Sequence, residues 1–161
     1  MASEPKPQAI EPESVDGMLV ELLAVLGMPL PRTRLVEWCK AANLRLSSRD
    51  LRDSIQRLTE RGMVAVTPHE GAFVRDPHLH ALLDAAHRAK RLQRLMAIIR
   101  RAEPIRERYA WQPSSRAMSR ELAWALHVGL HEDAAHEYER WESGPAGPAA
   151  REMALLEAWG L

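Results

Sequence analysis

The stretch SSRDLRDSIQRLTERGMVAVTPHEGAFVRD, Ser47–Asp76, decides the fold. Ser47 and Ser48 offer an N-cap, because a serine oxygen can accept from the otherwise unpaired N–H groups of a first helical turn. Leu51, Ile55 and Leu58 follow at i, i+4 and i+7, one apolar stripe of a helix. Gly62 supplies the stop. Two short β-type runs come next, Met63–Pro68 and Gly71–Asp76, joined by a tight polar turn through His69 and Glu70. This pattern predicts a hairpin.

Upstream, Leu44-Arg45-Leu46 alternates and is expected as a minimal strand. Leu35, Cys39 and Ala42 mark a short helix with Pro31 in its first turn. Ser14 caps an earlier helix carrying Met18, Leu19, Leu22, Leu23 and Leu26, and Gly27 stops it. Met1–Glu13 holds three prolines and mixed charge and is expected as a flexible leader. The order helix, helix, short strand, helix, hairpin over Ser14–Asp76 is that of a winged helix-turn-helix.

Downstream, the chain reads as helix throughout. Pro77 opens a long helix whose apolar face holds Leu82, Ala85, Ala89, Leu92, Leu95, Met96 and Ile99, and Pro104 ends it. An irregular segment with Trp111 and Pro113 follows. Ser115 caps a helix to about Leu130 carrying Met118, Leu122 and Leu126. Ala134, Tyr138 and Trp141 form a further stripe, Ser143–Pro148 breaks it, and a last helix carries Met153, Leu156 and Trp159. The fold class expected is mainly α, with a leader over 1–13, a winged helix over 14–80 and an α-helical domain over 81–161.

Composition narrows the function. The chain has 161 residues, with 22 Lys plus Arg against 22 Asp plus Glu. Neutrality argues against a uniformly basic nucleic-acid binder and against an acidic-tail protein. The longest runs without Asp, Glu, Lys or Arg are ten residues, Leu22–Pro31 and Leu122–His131, whereas a membrane span needs about 20. No amino-terminal apolar stretch marks a signal peptide, so a cytoplasmic protein without a membrane partner is expected. The single cysteine, Cys39, allows no intramolecular disulfide and no CxxC motif.

Catalytic signatures are absent from the sequence. It has no GxxxxGK[ST], no GxGxxG and no GxSxG. His131-Glu132-Asp133-Ala134-Ala135-His136 spaces its histidines by five where a helical zinc motif needs four. His127 and His131 are four apart, but Gly129 interrupts the helix between them. His78 and His80 have no cysteine or carboxylate at ligand spacing. Cys39, Trp38, Trp124, Trp141 and Trp159 lie on or beside apolar stripes and are expected as core. The sequence therefore predicts no catalytic residue, no metal ligand and no cofactor.

The candidate nucleic-acid residues form two groups. On the Ser47–Gly62 helix, counting about 100° per residue from Leu51, the outward face carries Arg49, Asp53, Gln56 and Glu60. Arg52 and Arg57 flank it, and Arg75 lies at the end of the wing. Arg and Gln can read guanine and adenine edges, but Arg49–Asp53, Asp53–Arg57 and Gln56–Glu60 are each i, i+4 pairs that can satisfy one another. The second group is Lys90, Arg91, Arg94 and Arg101. It sits in a strongly basic stretch, with ten Lys or Arg and two acidic residues over His87–Arg120. Glu121–Leu161 has two basic and eight acidic residues. The basic stripe can thus track a phosphate backbone or pair with the acidic half of its own chain.

Two resemblances bear on function. Leu46–Pro77 resembles the recognition helix and wing of GntR-type bacterial regulators, above all in its GAFV wing. The helix matches only over Leu51-Arg52-Asp53-Ser54-Ile55, and no effector-domain pattern follows. More broadly, LLAVLGMPLPRTRLVEW (Leu22–Trp38), the wing, the long helix and RELAWALHVGLHEDAAHEYERW (Arg120–Trp141) resemble the amino-terminal region of bacterial Swi/Snf-like helicases. That resemblance implies a winged helix followed by tetratricopeptide-like helical pairs, and a partner ATPase domain outside this sequence. The reading is a non-enzymatic accessory module for weakly specific nucleic-acid binding or for assembly with a protein partner. Its rival is a free-standing regulator that binds DNA as a dimer; the sequence leaves the oligomeric state open.

Overall fold

The computed structural model describes residues 10–69, 71–102, 115–132, 135, 136 and 139. The Pro104 stop, the Trp111 segment and the stripes of Tyr138, Trp141, Met153 and Trp159 lie outside the described residues. In chain order the elements are α1 (Val15–Leu26), β1 (Leu30–Pro31), α2 (Arg32–Ala41), α3 (Ser48–Glu60), β2 (Val64–Val66), β3 (Gly71–Val74), α4 (Asp76–Arg88), α5 (Arg91–Ala102) and α6 (Ser115–His127). The described chain is mainly helical, with one small antiparallel sheet. It divides into two compact units. The first holds residues up to Ala24 and Met28–Arg75; the second holds Val25–Gly27 and the chain from Asp76.

In the first unit, α1 is capped as its sequence predicts, with Ser14 Oγ accepting from the Gly17 N–H at 3.0 Å. Glu11–Glu13, expected as flexible leader, instead form a turn: the Ser14 N–H and hydroxyl both donate to the Glu11 carbonyl. The turn passes so close to α1 that a Cβ on Gly17 would lie 2.2 Å from the Glu11 carbonyl oxygen, which accounts for glycine there. From Leu19 to Leu26 every residue of α1 is buried, Glu21 among them, so the helix is enclosed on all sides. Leu35, Trp38 and Cys39 of α2 and Leu51, Ile55 and Leu58 of α3 complete the stripes.

The strand expected at Leu44–Leu46 does not form. The Leu44 N–H donates to the Cys39 carbonyl and the Asn43 N–H to that of Lys40. These two bonds close the end of α2, with Asn43 left-handed at φ 63°. The backbone needed for a ladder is spent on a helix cap. The third strand is Leu30–Pro31, which pairs antiparallel with β3 (Leu30 with Ala72, Pro31 with Gly71). Pro31 therefore sits in a strand ahead of α2 rather than in its first turn.

The hairpin forms where the sequence places it, with Val64 opposite Val74 and Val66 opposite Ala72. The strand order is β1-β3-β2. Helix α3 carries a complete capping box between Ser47 and Asp50. It ends at Gly62, φ 72°, with the Met63 and Gly62 N–H groups donating to Leu58 and Thr59.

In the second unit, the single long helix expected from Pro77 to Pro104 is two helices. The Lys90 N–H donates to the His87 carbonyl and Lys90 takes φ 58°, which ends α4 before α5 begins at Arg91. The break shifts the phase. Leu83 and Ala86 are the buried α4 residues, while Leu82 is half-buried and Ala85 and Ala89 are exposed. Leu92 and Ile99 are buried on α5. A single stripe through both helices therefore mixes two faces. Helix α4 lies beside both α5 and α6. Trp124 of α6 is buried, and its Nε1 donates to the Val25 carbonyl at 2.7 Å. Among the described residues no helix is long and apolar enough to cross a membrane.

Candidate nucleic-acid interface

Helix α3 presents the expected outward residues, but most of them are engaged. Arg49 lies 4.0 Å from Asp53, one turn away. Gln56 Nε2 donates to Glu60 Oε1 at 3.0 Å. Arg57 does not pair with Asp53. It reaches across to α1, where Nε and Nη2 donate to the two Asp16 carboxylate oxygens at 2.9 and 2.7 Å, and Nη2 also donates to Ser54 Oγ at 2.9 Å. This fork-on-carboxylate geometry is stronger than an exposed i, i+4 pair. The Arg57 guanidinium holds the Asp16 carboxyl below the usual carboxylate range, against the opposing effect of burial.

Arg52 and Arg75 are exposed, and their side chains form no hydrogen bond or ion pair among the described residues. Arg75 follows β3, and its backbone N–H donates to the Met63 carbonyl. Its guanidinium lies near Gly62, about 4 Å from where a Cβ there would stand, so it occupies the C-terminal end of α3. Arg52 lies one turn in from the N-terminal end. With Arg61, the exposed C-cap residue of α3, these cations lie towards the two ends of the helix, while Arg49 and Gln56 on its middle face local carboxylates.

The second group separates. Lys90 is exposed in the α4–α5 turn, and Arg91 is half-buried and engaged. Arg94 and Arg101 stay together, seven residues or about two turns apart on one exposed face of α5. The neighbouring Arg100 is held by the acidic half: its Nε donates to Glu121 Oε1 and Oε2 at 2.9 and 3.1 Å, and Nη2 also reaches Oε2. Arg100 and Arg120 approach the Trp124 ring at 5.5 and 5.3 Å from its centroid, within cation–π range. A cleft of about 270 Å³ opens beside this cluster, floored by Leu92, Met96, Trp124 and Val128.

Cys39 is buried, and burial pushes its thiol up to about 11, which suits a core residue and not a nucleophile. Among the described residues no group of three or more His, Cys, Asp or Glu is placed to hold a metal. Sequence spacing missed two contacts. Asp16 lies 41 residues from Arg57, and no local pattern links them. His80 of α4 and His127 of α6 meet Nδ1 to Nδ1 at 3.4 Å, a contact across 47 positions that helical spacing does not signal. The Arg100–Glu121 pair did leave a trace, as the meeting point of the basic and acidic stretches.

Compared with protein-family models, with curated proteins and with solved structures, the chain matches none.

Proposed function

We propose that this chain is a non-enzymatic accessory module that binds nucleic acid weakly through its phosphates and serves assembly with a larger partner. In this reading the first unit is a winged helix and α3 its recognition helix. One observation carries the reading. At the centre of the α3 outer face Arg49 faces Asp53 and Gln56 bonds Glu60, and the flanking Arg57 is drawn to Asp16, while Arg52, Arg61 and Arg75 are exposed towards the ends of that face. Contacts to base edges specify a sequence, whereas contacts to phosphates position a protein without specifying one. A helix whose central polar groups are taken up by local carboxylates and whose exposed cations lie at its flanks suits the second task. Arg94 and Arg101 would add two phosphate contacts from the helical unit, which we read as tetratricopeptide-like. The resemblance to the amino-terminal region of Swi/Snf-like helicases supports an ATPase as the partner and a cytoplasmic setting.

Fluorescence anisotropy with random-sequence duplex DNA over a salt series tests this. The parent should bind with an affinity that falls steeply with salt. Changing Arg52 and Arg75 together to Gln should make the log–log salt slope shallower by up to about two units. Arg94→Gln with Arg101→Gln should do the same from the other unit. Parental slopes in both double variants would overturn the phosphate reading. A short palindrome bound at least about a thousandfold more tightly than random duplex would replace it with the dimeric regulator.

A further inference from the structure

The second unit brings two imidazoles together that nothing in the nucleic-acid reading uses. His80 is on α4 and His127 is the last residue of α6, 47 positions later. Their Nδ1 atoms are 3.4 Å apart and the rings are tilted by 57°. The pair lies at the surface, so an ion can reach it. We propose that His80 and His127 form a two-imidazole clamp for a divalent transition-metal ion of the zinc type, with water completing the shell.

Three features carry this. The first is distance. Zinc binds imidazole nitrogen at about 2.0–2.1 Å. Two donors 3.4 Å apart then subtend about 108–116° at the metal, which brackets the tetrahedral angle. Adjacent ligands of an octahedral ion would stand nearer, at about 3.0 Å. The second is donor chemistry. Imidazole suits zinc, cobalt, nickel and copper, while magnesium and calcium take oxygen ligands. The third is position. His127 ends a 13-residue helix, and the negative end of its dipole favours a cation there. The turn behind it is fixed, with the Gly129 and Leu130 N–H groups donating to Leu126 and Ala125.

The charge balance is simple. With the metal absent, one Nδ1–H donates to the other Nδ1, so the acceptor ring already presents a lone pair. The donor ring needs only to move its proton to Nε2 for its own Nδ1 to coordinate. The proton moves within one ring, and none has to leave it. Two imidazoles supply part of the shell, and water or a further group would supply the rest, as in sites that activate water. Because the clamp joins α4 to α6, an ion held there ties two helices of the unit together and should stabilise the folded chain.

The test uses the untagged full chain and zinc, cobalt or magnesium alone. In thermal melts, zinc at about 100 times its dissociation constant should raise the midpoint by several degrees, EDTA should reverse the rise, and magnesium should do nothing. Cobalt should give the intense visible bands of a tetrahedral site. His80→Gln, at an exposed position, should fold like the parent and lose the zinc shift and the cobalt bands. His127→Gln should do likewise, while His136→Gln should keep both. A parental zinc shift in His80→Gln, or no zinc shift in the parent, would overturn the clamp.

Discussion

Replacing Asp16 by Asn removes one negative charge and one of the two oxygens that hold Arg57, while keeping shape and one acceptor. The cost follows from where the pair sits. Asp16 is largely buried, its side chain 11% exposed, whereas the Arg57 side chain is 48% exposed. A fully buried pair that loses a partner costs about 3–5 kcal/mol, and a fully exposed one about 0–1 kcal/mol. Here the arginine can rehydrate and keep its bond to Ser54, so the loss should be about 2 kcal/mol. The pH dependence has a definite sign. The folded-state carboxyl is held below its unfolded value, so its contribution is fully present above about pH 4 and is lost as the pH falls through the lowered folded value. Urea melts should therefore show the difference between parent and Asp16→Asn at pH 7 and show it shrinking in acid. The same variant, measured at a temperature where it is folded, loosens Arg57 towards the α3 surface. Its nucleic-acid salt slope should steepen by about one unit if the released guanidinium reaches a phosphate. A variant within about half a kcal/mol of the parent at pH 7 would refute the claim that this pair ties α1 to α3.

Further expectations rest on single residues. Leu58 is fully buried, so Leu58→Ala should cost about 2–5 kcal/mol in urea melts; a loss below about half a kcal/mol would remove α3 from the core. Lys90 stands at φ 58°, where a side chain costs about 1–2 kcal/mol and glycine does not. Lys90→Gly should therefore stabilise the chain by about 0.5–1 kcal/mol, after the entropy that glycine forfeits on folding. A destabilised variant would contradict the α4–α5 break. The Cys39 thiol, pushed up to about 11, should be about one part in a thousand ionised at pH 8. Alkylation by iodoacetamide should be negligible in the native protein and rapid in urea, and fast native labelling would show the site to be open.

Helix ends announced themselves where a residue type carries the geometry. Gly27 and Gly62 were legible stops because glycine adopts positive φ without strain. Asn43 is a stop of the same kind, since asparagine is the next residue to take that conformation, but the alternation of Leu44-Arg45-Leu46 behind it mimics a strand. Lys90 was beyond reach. A lysine gives no sign that it will turn left-handed, and leucines on both sides continue an unbroken helical period. Strand β1 was also invisible, since two residues, one of them proline, have no periodicity; only the facing strand defines them.

The candidate interface shows where local rules stop. Spacing gave the Arg49–Asp53 and Gln56–Glu60 pairs, because both partners lie on one exposed helix face and no other group competes. It gave Arg57 the wrong partner by the same rule. Asp53 offers an exposed contact worth about 0.3–0.5 kcal/mol, while Asp16 offers two charge-assisted bonds in a partly buried setting. Burial raises the value of a charge pair and also the penalty for leaving its carboxylate alone, so the remote partner wins. That choice decides which cations α3 leaves exposed. A helix with Arg57 released would carry a guanidinium beside Gln56 and Arg52, the arrangement a base-reading helix needs. With Arg57 committed to α1, the helix keeps its free charge at its flanks. Under the proposed function, the choice between a sequence-specific reader and a phosphate-tracking module would therefore rest on one carboxylate in a different helix.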